Sequence, residues 1–473
     1  MNIPLVVLLI YAGLLMGVGL IAGRRVQNTS DFFVAGRRLG PGLIFATLLA
    51  ANIGAGSTMG AAELGYSDGL SAWWWVGSAG LGSLVLAFWV GPKLRGVAAR
   101  HDLRTVGDYL EHRYGPQVRV LISVLLWAGG LSLLAGQLVA MGIVIAAVTG
   151  IDPRLGSVIG GLVVTVYFTA GGLLASVWVN AVQLAVLVLG FLVAFPVILG
   201  SIGGLSSLLE ATQHIDDFWN FWQGGGSGWF YLASVGPAFI VSPGILQRVY
   251  AARDDRAVRI GVGLNAVALL LFAAAPALLG MMARVVAPGL DNPDLALPTL
   301  LLETLPVLLG AGALAAIFSA EVSSADAMLF WLSTSLSKDL YARFVRPEAT
   351  DADILSVARR AAVAGGVAGI AIATLSTSIV TALTVFYDLL AVSLFVPLIV
   401  GLYTRKIRTR EALASIVAGV GVLSLVRLIA GPGGMLGLTP AMWGLGAAGL
   451  AAAFVVARRS NEAPTTREKS ARD

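Results

Sequence analysis

The 473 residues are 57% hydrophobic and only 12% charged, with 58 glycines, 18 prolines and no cysteine. That charge content is about half the ~25% of a soluble domain, too little to cover a water-soluble globule of 48.9 kDa with a mean hydropathy of +0.86. The lack of cysteine excludes disulfide scaffolds, thiolate metal sites and thiol nucleophiles, and three scattered histidines (His101, His112, His214) make no metal cluster. What remains is an all-α integral membrane protein with many spans.

A helix crosses the ~30 Å hydrocarbon core with about 20 apolar residues. Thirteen stretches qualify in chain order: 3–23, 41–65, 70–92, 118–149, 155–171, 174–201, 228–250, 258–287, 308–336, 356–375, 377–403, 411–430 and 438–457. They are long, Leu/Ala-rich and not alternating, which excludes barrel strands. The first is not a signal peptide, because Arg24 and Arg25 follow its apolar run rather than precede it. Every Lys and Arg except Arg154, Arg284 and Arg427 falls in the odd-numbered connections or the C-terminal tail, while Glu210, Asp216 and Asp217 lie in an even one. By the positive-inside rule the N-terminus is outside and the C-terminus cytoplasmic. Topology thus explains the pI near 9.6, and nucleic acid is excluded as a partner. No phosphate-binding G-x-x-x-x-G-K-[ST] stretch occurs, so ATP is not the expected energy source.

Two spans look broken. The second reads Ala50-Ala51-Asn52-Ile53-Gly54-Ala55-Gly56-Ser57-Thr58, and the seventh carries Gly236-Pro237 and Ser242-Pro243-Gly244. A break is tolerated in lipid only where it lines a cavity. Glycine also serves close helix packing, but a matched pair five spans apart is the pattern of inverted repeats, spans 2–6 and 7–11, each opening with a discontinuous helix. In the ninth span Ala320, Ser323 and Ser324 share one face. Their oxygens suit a small hard cation as well as they suit packing. Glu321 and Asp326 beside them favour a site, since a carboxylate at depth costs about 2.5–3.5 kcal/mol. Glu63 and Asp388 also fall within or near spans, and Asn180 and Gln183 share a face of the sixth. Trp73-Trp74-Trp75 reads first as an interfacial anchor, with one ring free to hold an apolar or cationic solute group instead.

These residues resemble the sodium:solute symporter family. The resemblance rests on Thr29-Ser30-Asp31-Phe32-Phe33-Val34-Ala35-Gly36-Arg37-Arg38, on Thr105-Val106-Gly107-Asp108-Tyr109-Leu110 with Arg113-Tyr114-Gly115, and on Gly171-Gly172-Leu173 through Trp178, Asn180 and Gln183. It continues in Gln247-Arg248 with Ala251-Ala252-Arg253-Asp254, and in Ala316-Ile317-Phe318-Ser319-Ala320 with Ser323-Ser324-Ala325-Asp326 and Asp339-Leu340-Tyr341. It implies the LeuT-type five-plus-five inverted-repeat fold. It also implies a sodium site of the Ala50, Ile53 and Ala320 carbonyls with the Ser323 and Ser324 hydroxyls. Asn52, Ser57, Trp75 and Ser242 become solute-facing positions. Val76 stands where sugar-carrying members have glutamate, which argues against a sugar. Asn180 replaces an aspartate used for a second ion, so one coupled sodium is expected; the rival is a second ion held by Asn180 with Asp326.

The implied organisation is residues 1–40 as first helix and cytoplasmic loop, and 41–403 as a core of two repeats (41–201 and 228–403). Residues 404–457 form two peripheral helices, and 458–473 a disordered cytoplasmic tail. The expected function is sodium-coupled uptake of a small organic solute across the cell membrane by alternating access, with sodium as coupling ion and no partner protein. A solute sensor on the same scaffold is the alternative. An intramembrane enzyme is disfavoured because no nucleophile or metal cluster accompanies Glu321 and Asp326.

Overall fold

The computed structural model describes residues 2–23, 39–223, 228–376, 378–404 and 407–461. It is helical. Among the described residues nine helices are long and apolar enough to cross a membrane, or ten if a pair bent by 66°, Val186–Ser201 with Gly204–Thr212, is one span. These nine correspond to spans 3, 4 and 7–13 of the sequence reading. The first, second, fifth and sixth are not among the nine.

The helices are α1 (Ile3–Gly23), α2 (Pro41–Asn52), α3 (Ala61–Asp68), α4 (Trp73–Val85), α5 (Gly91–Arg100), α6 (Val106–Tyr114), α7 (Pro116–Thr149), α8 (Pro153–Ser201) and α9 (Gly204–Thr212). They continue as α10 (Val235–Val241), α11 (Pro243–Tyr250), α12 (Asp255–Phe272), α13 (Ala274–Val286), α14 (Ala296–Thr304), α15 (Val307–Thr334), α16 (Asp351–Leu375), α17 (Ile379–Tyr403), α18 (Thr409–Ala430) and α19 (Pro440–Asn461). α7 is buried over most of its length and packs against α8, α15, α16 and α17. α3 crosses α13 closely: a Cβ on Gly65 would sit 2.2 Å from the Ala277 carbonyl oxygen, and one on Gly280 2.0 Å from that of Ala62. Small residues let the two backbones approach. α18 and α19 pack on each other and lean on α17.

One expectation differs. Spans 155–171 and 174–201 are a single run of helix, α8, of 49 residues. Gly171-Gly172 removes no backbone donor, so nothing there obliges the helix to stop. The halves of α8 have different neighbours. Gly156, Gly160 and Gly161 meet α7 and α16, whereas Gly190 meets Ala316 of α15.

At one end of the bundle a charged network ties α6 to its neighbours. Thr105 and Asp108 form a capping box at the start of α6. The nearly buried Arg119 guanidinium bridges Asp108 at 3.0 Å and Glu111 at 2.6 Å, and Arg343 binds the other Glu111 oxygen at 2.7 Å. Partial burial works to raise the Glu111 carboxyl, but its bonds to Arg343 and Arg119 outweigh this and hold it below the ordinary value. Arg427, one of the three basic residues outside the charge alternation, pairs with buried Asp388 at 3.2 Å, joining α18 to α17.

Candidate binding site at the broken helices

Both expected breaks are present. α2 ends at Asn52, Ile53 is extended (φ −98°, ψ 102°), and a π-helical turn over Gly56–Gly60 leads into α3. The Gly54 N–H, which would close the helical ladder on the Ala50 carbonyl, instead donates to Ser57 Oγ at 3.0 Å. The Ser57 N–H goes to the Gly54 carbonyl rather than that of Ile53. The Ala50 and Ile53 carbonyls are thereby released from the ladder. The Ser57 hydroxyl donates toward the Asn52 and Gly54 carbonyls at 3.1 and 3.2 Å, so it serves the break itself. Gln137 of α7 accepts the Ala55 N–H at 3.0 Å.

The second break lies between α10 and α11. Pro243 disfavours helical geometry in the residue before it, and Ser242 is accordingly extended (φ −55°, ψ 123°). The Ser242 carbonyl accepts the first amides of α11, from Ile245 and Leu246. Its side chain is half-buried.

α15 packs on the α2 break. Ala320, Ser323, Ser324 and Asp326 are all buried, at 2–6% exposure. A Cβ on Gly54 would lie 2.2 Å from Ser324 Oγ and 3.0 Å from Gln137 Oε1, so only glycine fits there. Ser324 Oγ has no hydrogen-bond partner among the described residues. Glu321, fully buried, accepts from Thr58 Oγ1 at 3.2 Å, while its Oε2 has no partner. Ser324 Oγ thus lies against Gly54, the residue after the released Ile53 carbonyl.

The tryptophan run divides. Trp73 and Trp74 donate to the Leu270 and Phe221 carbonyls and stack with Phe221 and, for Trp74, Trp222. Trp75 points inward and donates to the Gly56 carbonyl at 2.8 Å. Its ring meets Tyr231 at 4.8 Å and Tyr387 at 5.6 Å, and Phe239 lies 5.7 Å from Tyr387. Asn52 donates to Asn265 of α12 at 3.2 Å. The side chains of Asn180 and Gln183 lie outside the described residues. Gln137, Thr58, Asn265 and the Thr58–Glu321 contact were not singled out from the sequence as site residues. For Gln137 and Asn265 the signal was an amide side chain within an apolar stretch.

The Sodium:solute symporter family profile matches residues 32–419. The chain belongs to the sodium:solute symporter family. Among its relatives, the sodium/glucose cotransporter of Vibrio parahaemolyticus is 26% identical, with 88% of this chain and 84% of that one covered. The sodium/pantothenate symporter of Escherichia coli (strain K12) is 28% identical, with 89% of each covered. A solved sodium-coupled sialic acid symporter in a substrate-bound outward-open state superposes with a TM-score of 0.77 at 18% identity, over 96% of this chain and 97% of that one. The nucleobase-cation-symport-1 family transporter Mhp1 follows at 0.55. At those identities the structures establish the fold. Membership in the sodium:solute symporter family makes this chain a sodium-coupled membrane transporter of a small solute, not an enzyme.

Proposed function

We propose that the protein takes up a small organic solute by alternating access about the two broken helices, with sodium held between the α2 break and α15. The ligands in this reading are the Ala50, Ile53 and Ala320 carbonyls and the Ser323 and Ser324 hydroxyls. The observation that carries it is the unmatched Ser324 hydroxyl facing Gly54 beside two carbonyls freed from the ladder. Asn52, Trp75 and Ser242 face the solute, and Ser57 shapes the break beneath it. In the same reading the chain crosses the cell membrane thirteen times, the two halves of the Pro153–Ser201 run counting as separate crossings, with the N-terminus outside and the C-terminus cytoplasmic. Helices 2–6 and 7–11 of that count form inverted repeats. The two Pro/Gly-associated breaks five spans apart support the repeat, and the basic residues of the odd-numbered connections support the orientation.

One positive charge moving through ~100 mV supplies about 2.3 kcal/mol, or about fifty-fold accumulation. Asn180 carries no charge to compensate a second desolvated cation, so one sodium accompanies each solute. Vesicle uptake tests this. Ser323→Ala should raise the sodium concentration needed for half-maximal uptake, and the flux ratio should be one sodium per solute. An unchanged half-saturation contradicts the ligand set; a ratio of two, lost on Asp326→Asn, contradicts the stoichiometry.

A further inference from the structure

Helix α7 reaches the α2 break through Gln137. This residue is 4% exposed, and its Oε1 accepts the Ala55 N–H at 3.0 Å. The bond fixes which end of the side-chain amide faces the break, because a backbone N–H can only donate. The neighbouring amides are met locally. Gly54 donates to Ser57 Oγ, Ser57 and Thr58 donate to the Gly54 carbonyl, and Gly60 donates to that of Ala55. The Ala55 amide, by contrast, is met from another helix.

The alternative partner for that amide would undo the break. In a continuous helix it would bond the Ala51 carbonyl, and residues 52–54 would then need helical dihedrals. Ile53 is extended instead (φ −98°, ψ 102°). Winding it back would turn the Gly54 and Ser57 amides onto the Ala50 and Ile53 carbonyls and withdraw both from an ion. Leaving the Ala55 amide unpaired is costly as well. Ala55 is fully buried, and a buried donor without a partner forfeits its hydration for nothing. The unwound turn therefore needs an acceptor at this point, and Gln137 supplies it.

Packing holds the acceptor in place. A Cβ on Gly54 would lie 3.0 Å from Gln137 Oε1. Leu383 of α17 fits against both backbones: its methyl carbons would lie 2.8 Å from a Cβ on Gly136 and 2.7 Å from one on Gly56. Glycine at these two positions lets α17 seat α7 beside the break.

We propose that Gln137 is a positioning residue of the sodium site: by accepting the Ala55 amide it keeps the α2 break unwound, so that the Ala50 and Ile53 carbonyls stay available to the ion only while α7 lies against the break. The ion placement is the one proposed above; the bracing of the break does not depend on it. Gln137 is not itself a ligand. Its contribution is to disfavour the helical competitor. Without it a smaller fraction of the protein has its carbonyls released, and apparent sodium affinity falls by that fraction.

Variants of the purified full-length protein test this. Gln137→Leu removes the acceptor at similar volume, with a side chain that a membrane helix holds readily. Calorimetric titration should show sodium binding at least roughly tenfold weaker, with little change in sodium-free thermal unfolding. Gln137→Glu keeps an acceptor oxygen at the same reach and should bind sodium within about threefold of the unmodified protein. If Gln137→Leu does not fold, Gln137→Asn, which falls one methylene short of the Ala55 amide, carries the same expectation. Hydrogen exchange of the fragment 51–58 without sodium should differ from the unmodified protein in Gln137→Leu and match it in Gln137→Glu. Sodium affinity unchanged in Gln137→Leu while Ser324→Ala weakens it, or weakened equally in Gln137→Leu and Gln137→Glu, overturns the proposal. If Ser324→Ala leaves sodium affinity unchanged, the ion placement fails, and the exchange result alone then decides whether Gln137 holds the break.

Discussion

At the α2 break, polar atoms outnumber their partners. Ser324 Oγ and Glu321 Oε2 have no partner among the described residues, and two carbonyls have lost their ladder amides. Around α6 the charged groups are paired instead: Arg119 meets two carboxylates, Arg343 a third oxygen, and Arg113 donates to the Gly401 and Thr404 carbonyls. The charged network fastens α6, α7, the helical segment Ser335–Val345 that follows α15 and the end of α17 together. The unmatched one holds hydroxyl and carbonyl oxygens, which cost less to leave open than charges would, beside the Glu321 carboxyl. A site meant to bind and release an ion needs that second kind of construction, while a structural fastening needs the first.

The comparison breaks if the two regions respond alike to substitution. Arg119→Met leaves Asp108 and Glu111 without their shared cation and should cost about 3–5 kcal/mol of stability, read by denaturant or thermal unfolding. The folded fraction should retain its sodium half-saturation. Gly54→Ala should do the reverse. Its Cβ would lie 2.2 Å from Ser324 Oγ, and overpacking of about 1–3 kcal/mol at the site predicts a fall in sodium-dependent uptake of roughly 10- to 100-fold, measured in vesicles, with little change in expression. Arg343→Ala is the smallest. Its side chain is 57% exposed, so less than about 1 kcal/mol is expected. The same pair gives a pH signature: Glu111 is held below its ordinary value of 4.5. Its contribution is therefore present above that value and fades as pH falls through the lower folded-state value. Acid unfolding in Arg343→Ala should begin at higher pH than in the unmodified chain.

The two breaks could be read from residue type because Gly54, Pro243 and their neighbours carry the conformational cause in their own covalent structure. The face holding Ala320, Ser323 and Ser324 followed from helical spacing. The partners could not be read: Gln137 caps Ala55 across 82 positions and Thr58 meets Glu321 across 263, contacts set by how α7 and α15 cross α2. Asn52 illustrates the same limit, since its amide reaches Asn265, a residue whose own helix gives no hint of a neighbour. The run from Pro153 to Ser201 misled for a different reason. Hydropathy separated 155–171 from 174–201, yet neither Gly171 nor Gly172 compels a break in the run.

Direct sodium titration of the purified protein and of Ser324→Ala, followed calorimetrically, tests the central claim with the fewest intermediaries. The Ser324 hydroxyl has no partner to lose among the described residues, so the variant should unfold within about 1 kcal/mol of the unmodified chain. It should bind sodium at least roughly tenfold more weakly, about 1.4 kcal/mol. Unchanged sodium affinity in a folded Ser324→Ala protein would contradict the placement of the ion between the α2 break and α15.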